Sequence, residues 1–217
     1  MVRICKIEIQ HFRTIRLLSW QPSSGLNCLI GPGDSGKTTI LDAIDLCLSA
    51  RRNISFADTD FYGLDVTQPI IITLTLGSLP NALMHLDSYG NYLQAFNRVN
   101  GLVTEEPEQG LETVLCLRLM VDSELEPVWT LVSQRAQAQG QERNIAWKDR
   151  LLLAPARLGT YASSNLSWAR GSVLNRLTEE RPDLGAELAN AARQARTSFG
   201  GQAGVQLAET LQIVTQN

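Results

Sequence analysis

Apolar and polar residues alternate along the first ten positions. Cys5, Ile7 and Ile9 fall on one side of an extended chain and Ile4, Lys6, Glu8 and Gln10 on the other, which predicts a strand with one buried face. A second, less regular strand is predicted over 14–20 from Ile15, Leu17, Leu18 and Trp20, with His11, Phe12 and Arg13 as the tight connection. Pro22, Ser23, Ser24 and Gly25 then turn the chain into Leu26, Cys28, Leu29 and Ile30, an apolar run predicted to be a short buried strand. After it, Ile40, Leu41, Ile44 and Leu48 recur at helical spacing.

Further along, the β-branched run at 70–76 is the clearest strand, with Pro69 at its first edge, and Gly77 and Pro80 break it. A short helix is predicted over 81–86 and an irregular excursion over 87–112, where Gly90, Gly101, Pro107 and Gly110 are scattered. Strands follow at 113–121 and 128–132, joined by a polar turn, and would extend the N-terminal antiparallel lobe as a meander. The segment 133–150 is rich in Gln, Ala and Gly with Trp147 as its anchor, and 151–159 is either a buried strand or a turn of helix. An alanine-rich helix over 183–196 presents Leu184, Leu188, Ala191, Ala192 and Ala195 behind Pro182, and a shorter one is predicted over 206–214.

Between the apolar run and the first helix lie residues 31–39, Gly-Pro-Gly-Asp-Ser-Gly-Lys-Thr-Thr, which fit the phosphate-loop pattern GxxxxGK[ST] at every fixed position. Strand, glycine loop and helix in that order place backbone N–H groups of Gly33, Asp34, Ser35, Gly36, Lys37 and Thr38 at the positive end of a helix, where a di- or triphosphate replaces missing acceptors. Lys37 is the candidate catalytic residue, a mobile charge for the outer phosphates, and the Thr38 hydroxyl is the candidate Mg2+ ligand. Thr39 completes the candidate nucleotide-binding set. Arg13, at the hairpin turn, is either a nucleotide contact or a structural, solvent-facing ion pair. Leu119, Met120, Val121 and Asp122 look like a strand ending in a metal-site aspartate, yet the polar residues that follow favour a hairpin turn.

A chain of 217 residues with 44% hydrophobic content suffices for one sizeable core. The net charge of -3 gives no global bias toward nucleic acid. Cys5, Cys28, Cys47 and Cys116 are spread through apolar runs with no C-x-x-C pair, so they read as small core residues of a reduced compartment. No run approaches the roughly 20 apolar residues of a membrane span, and no signal core opens the chain, so a cytoplasmic protein without a membrane partner is expected.

From the strand that ends in His11, Phe12 and Arg13 through the loop to Ile44, the chain resembles the start of the SMC-like and RecF-like branch of ABC-type ATPases. His11 stands where that branch often has asparagine, and Gly33-Asp34 where it usually has Asn-Gly. Arg51, Arg52 and Asn53 followed by Phe56 and by Asp60, Phe61 and Tyr62, together with Trp168, Arg170, Gly171, Ser172 and Leu174, resemble the overcoming-lysogenization-defect (OLD) family of ATP-dependent nucleases. The resemblance implies an α/β fold, the N-terminal portion of an ABC-type P-loop NTPase with an antiparallel β lobe. Residues 1–30 and 69–133 would form the lobe, 31–50 the loop and first helix, and 151–217 a mainly helical part.

It further implies ATP and Mg2+ as cofactors, a homo-oligomer that closes a composite site, and double-stranded DNA as a partner. Arg51 and Arg52 would approach nucleotide or DNA, or remain a solvated pair. One of Gln134, Gln137, Gln139 and Gln141 would position the attacking water, although spacing selects none of them. A signature segment, a Walker B acid and a Toprim nuclease module have no convincing copy here, and Ser198-Phe199-Gly200-Gly201 only faintly resembles the first. The expectation drawn from the resemblance is the ATP-binding part of an OLD-like ATP-dependent nuclease, completed by a longer chain or a partner, in which MgATP binding and composite-site hydrolysis control DNA cleavage in defence against phage. A RecF-like repair ATPase without nuclease and a nucleotide-binding module without turnover are the alternatives.

Overall fold

A computed structural model describes residues 2–49, 54–141, 143–155 and positions 190, 191, 193, 194 and 197. The chain divides into two units, Met1–Pro155 and Ala156–Asn217. In the second, Asn190, Ala191, Arg193, Gln194 and Thr197 are helical, within or beside the predicted alanine-rich helix, and the Thr197 hydroxyl donates to the carbonyls of Arg193 and Gln194. Arg51, Arg52, the 164–177 segment, the 206–214 helix and the Ser198–Gly201 stretch lie outside the described residues.

The first unit is built on one antiparallel sheet of eight strands: β1 (Arg3–Phe12), β2 (Ile15–Trp20), β3 (Ile70–Gly77), β4 (Leu93–Asn97), β5 (Leu102–Thr104), β6 (Glu112–Val121), β7 (Pro127–Val132) and β8 (Arg143–Asn144). The main path runs β2-β1-β3-β6-β4-β5. Leu115–Val121 of β6 pair with β3 along one edge, while the other edge is shared, Leu115 and its predecessors facing β4 and Cys116–Val121 facing β7 and thence β8. Among the described residues of this unit, four α-helices accompany the sheet: α1 (Lys37–Leu48), α2 (Leu86–Tyr89), α3 (Gln134–Ala138) and α4 (Trp147–Leu153).

The alternation in β1 sends Cys5, Ile7 and Ile9 inward as predicted, but the next core residue is Phe12. His11 takes a positive φ of 53°, which shifts the phase by one and brings Phe12 into the core, bridged to Phe61. The turn is therefore made by Arg13 and Thr14, with Phe12 paired to Ile15. Ile7, Ile9, Ile70, Ile72, Leu74, Leu115, Leu117 and Leu119 form a continuous apolar floor.

α1 lies on that floor through Thr39, Ala43, Cys47 and Leu48. The predicted face of Ile40, Leu41 and Ile44 is rotated toward the rim, and Leu41 is exposed. Small residues at the contact let the helix axis approach the sheet closely enough for the Cys47 thiol to donate to the carbonyls of Ile72 and Leu117, both at 3.8 Å. The far end of the helix is fastened too. The Trp129 indole donates to Cys47 O at 3.1 Å, and Arg150, stacked 3.8 Å over the Trp129 ring, donates to Ser49 O.

Two other predictions change. The excursion at 87–112 contains the β4–β5 hairpin with Leu93, Ala95 and Phe96 buried, and its signal was Asn100-Gly101, the latter at φ 70°. Trp147, the expected anchor of 133–150, is exposed, as is Tyr62, whereas Phe56 and Phe61 are buried. Asp122 does close a turn, its carboxylate accepting from the Glu124 amide.

Truncating Leu117, fully buried mid-strand beneath α1, leaves a cavity that cannot collapse against two paired neighbours. Leu117→Ala is expected to lower stability by about 2–5 kcal/mol in urea unfolding. Burial holds the thiols of Cys5 and Cys116 at about 11 and of Cys47 at about 12, against an ordinary 9.0. Since the fold favours the neutral thiol, their contribution is complete below pH 9.0 and is lost as pH rises through those values. Native labelling with iodoacetamide at pH 8 should modify exposed Cys28 and spare the other three, and modification of Cys47 without unfolding would contradict the packing.

Candidate functional site

The phosphate loop joins the sheet to α1 through a chain segment that departs from prediction. Residues 26–30 form no strand, and Leu26 and Ile30 are 97% and 90% exposed. An apolar run becomes a strand only when ladder partners satisfy its backbone, and among the described residues none lies alongside. Upstream, the Asn27 side chain closes the local turn: its amide donates to Ser23 O and Gly25 O, and its oxygen accepts from the Ser23 amide and hydroxyl.

From Gly31 the loop is ordered by its own atoms. The three ammonium protons of Lys37 are directed at loop oxygens: Gly31 O at 2.9 Å, Pro32 O at 2.5 Å and Ser35 Oγ at 3.0 Å. The lysine thus lies over the loop, as the motif requires, and does not swing out to solvent. Asp34 at φ 58° and Gly36 at φ 83° supply the left-handed steps that wrap the chain into the helix. At Gly31, an added Cβ would come within 2.9 Å of Ser35 Oγ and 4.0 Å of Lys37 Nζ, so a side chain there would press on the loop.

α1 begins at Lys37 with Gly36 as its N-cap and no side-chain cap, and its first turn carries no acidic residue. Its first amides are left for another acceptor, at the end where the helix dipole favours negative charge. Gly33, Asp34, Ser35 and Thr38 are exposed on the open side. This donor set suits a polyphosphate: one cation, uncapped amides and a threonine hydroxyl, with an open position at Gly33 where a Cβ would meet nothing. Thr38 is the residue free to reach a hard cation.

Two members of the predicted set are engaged otherwise. Thr39 is buried, with its hydroxyl 3.3 Å from that of Thr14, so it seats the hairpin tip on the helix and does not face the open side. Arg13 adopts the ion-pair alternative. Its Nε donates to Asp60 at 2.8 Å, its Nη1 to Asp42 on α1 at 2.5 Å, and its backbone amide to Asp60 O at 2.7 Å. Partial burial opposes its charge, but the two carboxylates raise the pKa further. The residue locks hairpin, post-helix loop and α1 together.

Sequence reasoning did not identify the recess beside this lock, about 540 Å3, lined by His11, Arg16, Tyr62, Gly63, Asp65 and Gln68. The positive φ values of His11, Gly63 and neighbouring Leu64 shape its rim. Only the pairing of a bulge with a post-helix aromatic loop could have announced it. Of the glutamines, Gln134 opens α3 with its amide on Glu105, while Gln139 and Gln141 accept from Asn91. Among the described residues no cluster of three or more His, Cys, Asp or Glu is placed to hold a metal, and no helix is long and apolar enough to cross a membrane.

Gly36→Ala tests the loop geometry, since it forces a Cβ into a left-handed conformation 3.3 Å from Thr14 Oγ1. A loss of stability of more than about 1 kcal/mol is expected in thermal or urea unfolding, and a neutral result would show that the turn is not required.

Residues 6–85, less than half of the chain, match the family described as an AAA domain. The chain is 25% identical over 116 residues to the DNA replication and repair protein RecF of Chlorobium luteolum, covering 54% of this chain and 31% of that one. It is 48% identical over 46 residues to RecF of Prosthecochloris aestuarii, covering 21% and 12%. Against the structural maintenance of chromosomes protein 5 of Arabidopsis thaliana, identity is 41% over 51 residues, covering 24% and 5%. A solved structure from the structural biochemistry of ATP-driven dimerization and DNA-stimulated activation of SMC ATPases aligns over 85% of this chain and 95% of its own, with TM-score 0.42 and 13% identity. The matched stretches span less than a third of these curated relatives. The phosphate loop and the strands β2 and β3 of the antiparallel sheet lie within the stretch that matches the AAA domain.

Proposed function

We propose that this chain is the ATP-binding part of an SMC/RecF-like ATPase that acts on DNA in the cytoplasm. The observation that carries the reading is the loop itself, where Lys37 converges on Gly31, Pro32 and Ser35 above an uncapped helix start. In this proposal the amides from Gly33 to Thr38 bind the phosphates, Lys37 leaves its loop acceptors for the outer phosphates, and Thr38 joins Mg2+. The metal neutralises charge on the outer phosphate oxygens when bound. The hairpin tip, braced by Arg13 and Thr14, keeps the helix start in place, and this proposal seats base and ribose in the recess at His11 and Tyr62.

Hydrolysis requires groups beyond the loop, and a second copy closing over the nucleotide is the source we favour. The RecF and SMC relatives support a repair or recombination ATPase. The resemblance of Phe56, Asp60, Phe61 and Tyr62 to OLD proteins supports a finer variant, in which the cycle gates a metal-dependent nuclease in defence against phage. Divalent-metal-dependent cleavage of duplex DNA by the complete protein would select the latter.

Lys37→Ala should weaken MgATP binding by roughly 10- to 100-fold, the worth of a charge-assisted hydrogen bond or more, while the far-UV spectrum stays unchanged. Calorimetry on the full chain reads this directly. Unchanged ATP affinity in the folded variant would refute the assignment.

A further inference from the structure

At the opposite end of β1 from the phosphate loop, about 30 Å away at roughly 3.3 Å per residue, a second polar recess is present. It measures about 260 Å3 and is lined by Arg3, Arg98, Gln21 and Ser24, with Cys5 and Phe96 among its walls. Two guanidinium groups meet there on a single carboxylate oxygen. Arg3 and Arg98 both donate to Glu112 Oε2, Arg98 through Nε and Nη2 at 3.3 Å, while Glu112 Oε1 accepts from the Ser78 amide at 3.2 Å.

The charges do not cancel. Two cations face one anion, and the neighbouring thiol cannot supply the difference, because burial and the adjacent Glu112 push Cys5 up to about 11 and keep it neutral. Arg3 Nε is buried and has no hydrogen-bond partner, and a donor left so is costly unless something accepts from it. Arg98, on the β4–β5 turn, is 53% exposed and can reorient. Gln21, against which a Cβ at Gly101 would collide, brings its amide to the same wall, and Ser24 adds a hydroxyl.

We infer that this recess binds a phosphate group, held by Arg98 and Arg3 with the Gln21 amide and Ser24 hydroxyl. Excess positive charge, guanidinium forks from two directions and neutral donors between them match a tetrahedral oxyanion with several acceptors, whereas the planar carboxylate position is already taken by Glu112. The wall formed by residues 21–24 continues, through the turn closed by Asn27, directly into Gly31. A phosphate in the recess therefore fixes the segment that leads into the phosphate loop.

The test uses the full chain carrying Lys37→Ala, so that phosphate held on the loop does not contribute. Sodium phosphate is titrated by calorimetry, and a fluorescein-labelled DNA duplex by anisotropy at several salt concentrations. Arg98→Gln and Ser24→Asp, both at exposed positions, should each weaken phosphate binding by about tenfold with the fold intact by circular dichroism. A parallel loss on DNA, with the salt slope lower by about 1 for Arg98→Gln, identifies a nucleic-acid backbone as the source, and a loss on phosphate alone identifies a free phosphate. Phosphate affinity unchanged in both variants, or no phosphate binding once Lys37 is replaced, overturns the inference. ATP affinity that survives Lys37→Ala overturns the reading of the loop instead.

Discussion

The seating of α1 on the sheet is the constraint from which the remaining geometry follows. A helix bearing the phosphate loop is held at a fixed height above β3 and β6, and Ala43 and Cys47, fully buried and small, set that height. Once Cys47 reaches the carbonyls of Ile72 and Leu117, rotation about the helix axis is fixed as well. Thr39 is thereby turned to the hairpin and Thr38 to the open side, so the division of labour between two adjacent threonines is decided four to nine residues away.

The antiparallel lobe was largely legible because its strands are long and show one apolar face. β1, β3, β6 and β7 lie where alternation and β-branching placed them. What escaped notice was local and dihedral. A single positive φ at His11 displaced the turn, and a hairpin announced by one Asn-Gly pair was hidden in a polar stretch. The helix face differs for another reason, since the apolar periodicity is carried by large residues whereas the contact is made mostly by small ones, Thr39, Ala43 and Cys47.

The loop's chemistry was legible from spelling alone, because Gly36, Lys37 and Thr38 have few other reasons to occur in that order. Its surroundings were not. The ion pairs of Arg13 join residues 13, 42 and 60, a relation no periodicity encodes, and the hydrophobicity of 26–30, which alone predicts a strand, says nothing about which partners are at hand. The apolar surface of Leu26, Ile30 and Leu41 is the visible remainder of that difference.

The fastening of α1 at its far end gives the helix the mechanics of a stiff rod. Twelve residues at 1.5 Å per residue make it about 18 Å long, and the carbonyls at its tail are gripped by Trp129 and by Arg150 of α4. Its hydrogen-bonded backbone ties the glycine end to the Trp129–Arg150 stack as one element. α4 ends two residues before Pro155, the last residue of the first unit. One helix thus spans from the loop that carries Lys37 to the contacts of α4, the last element before the first unit ends.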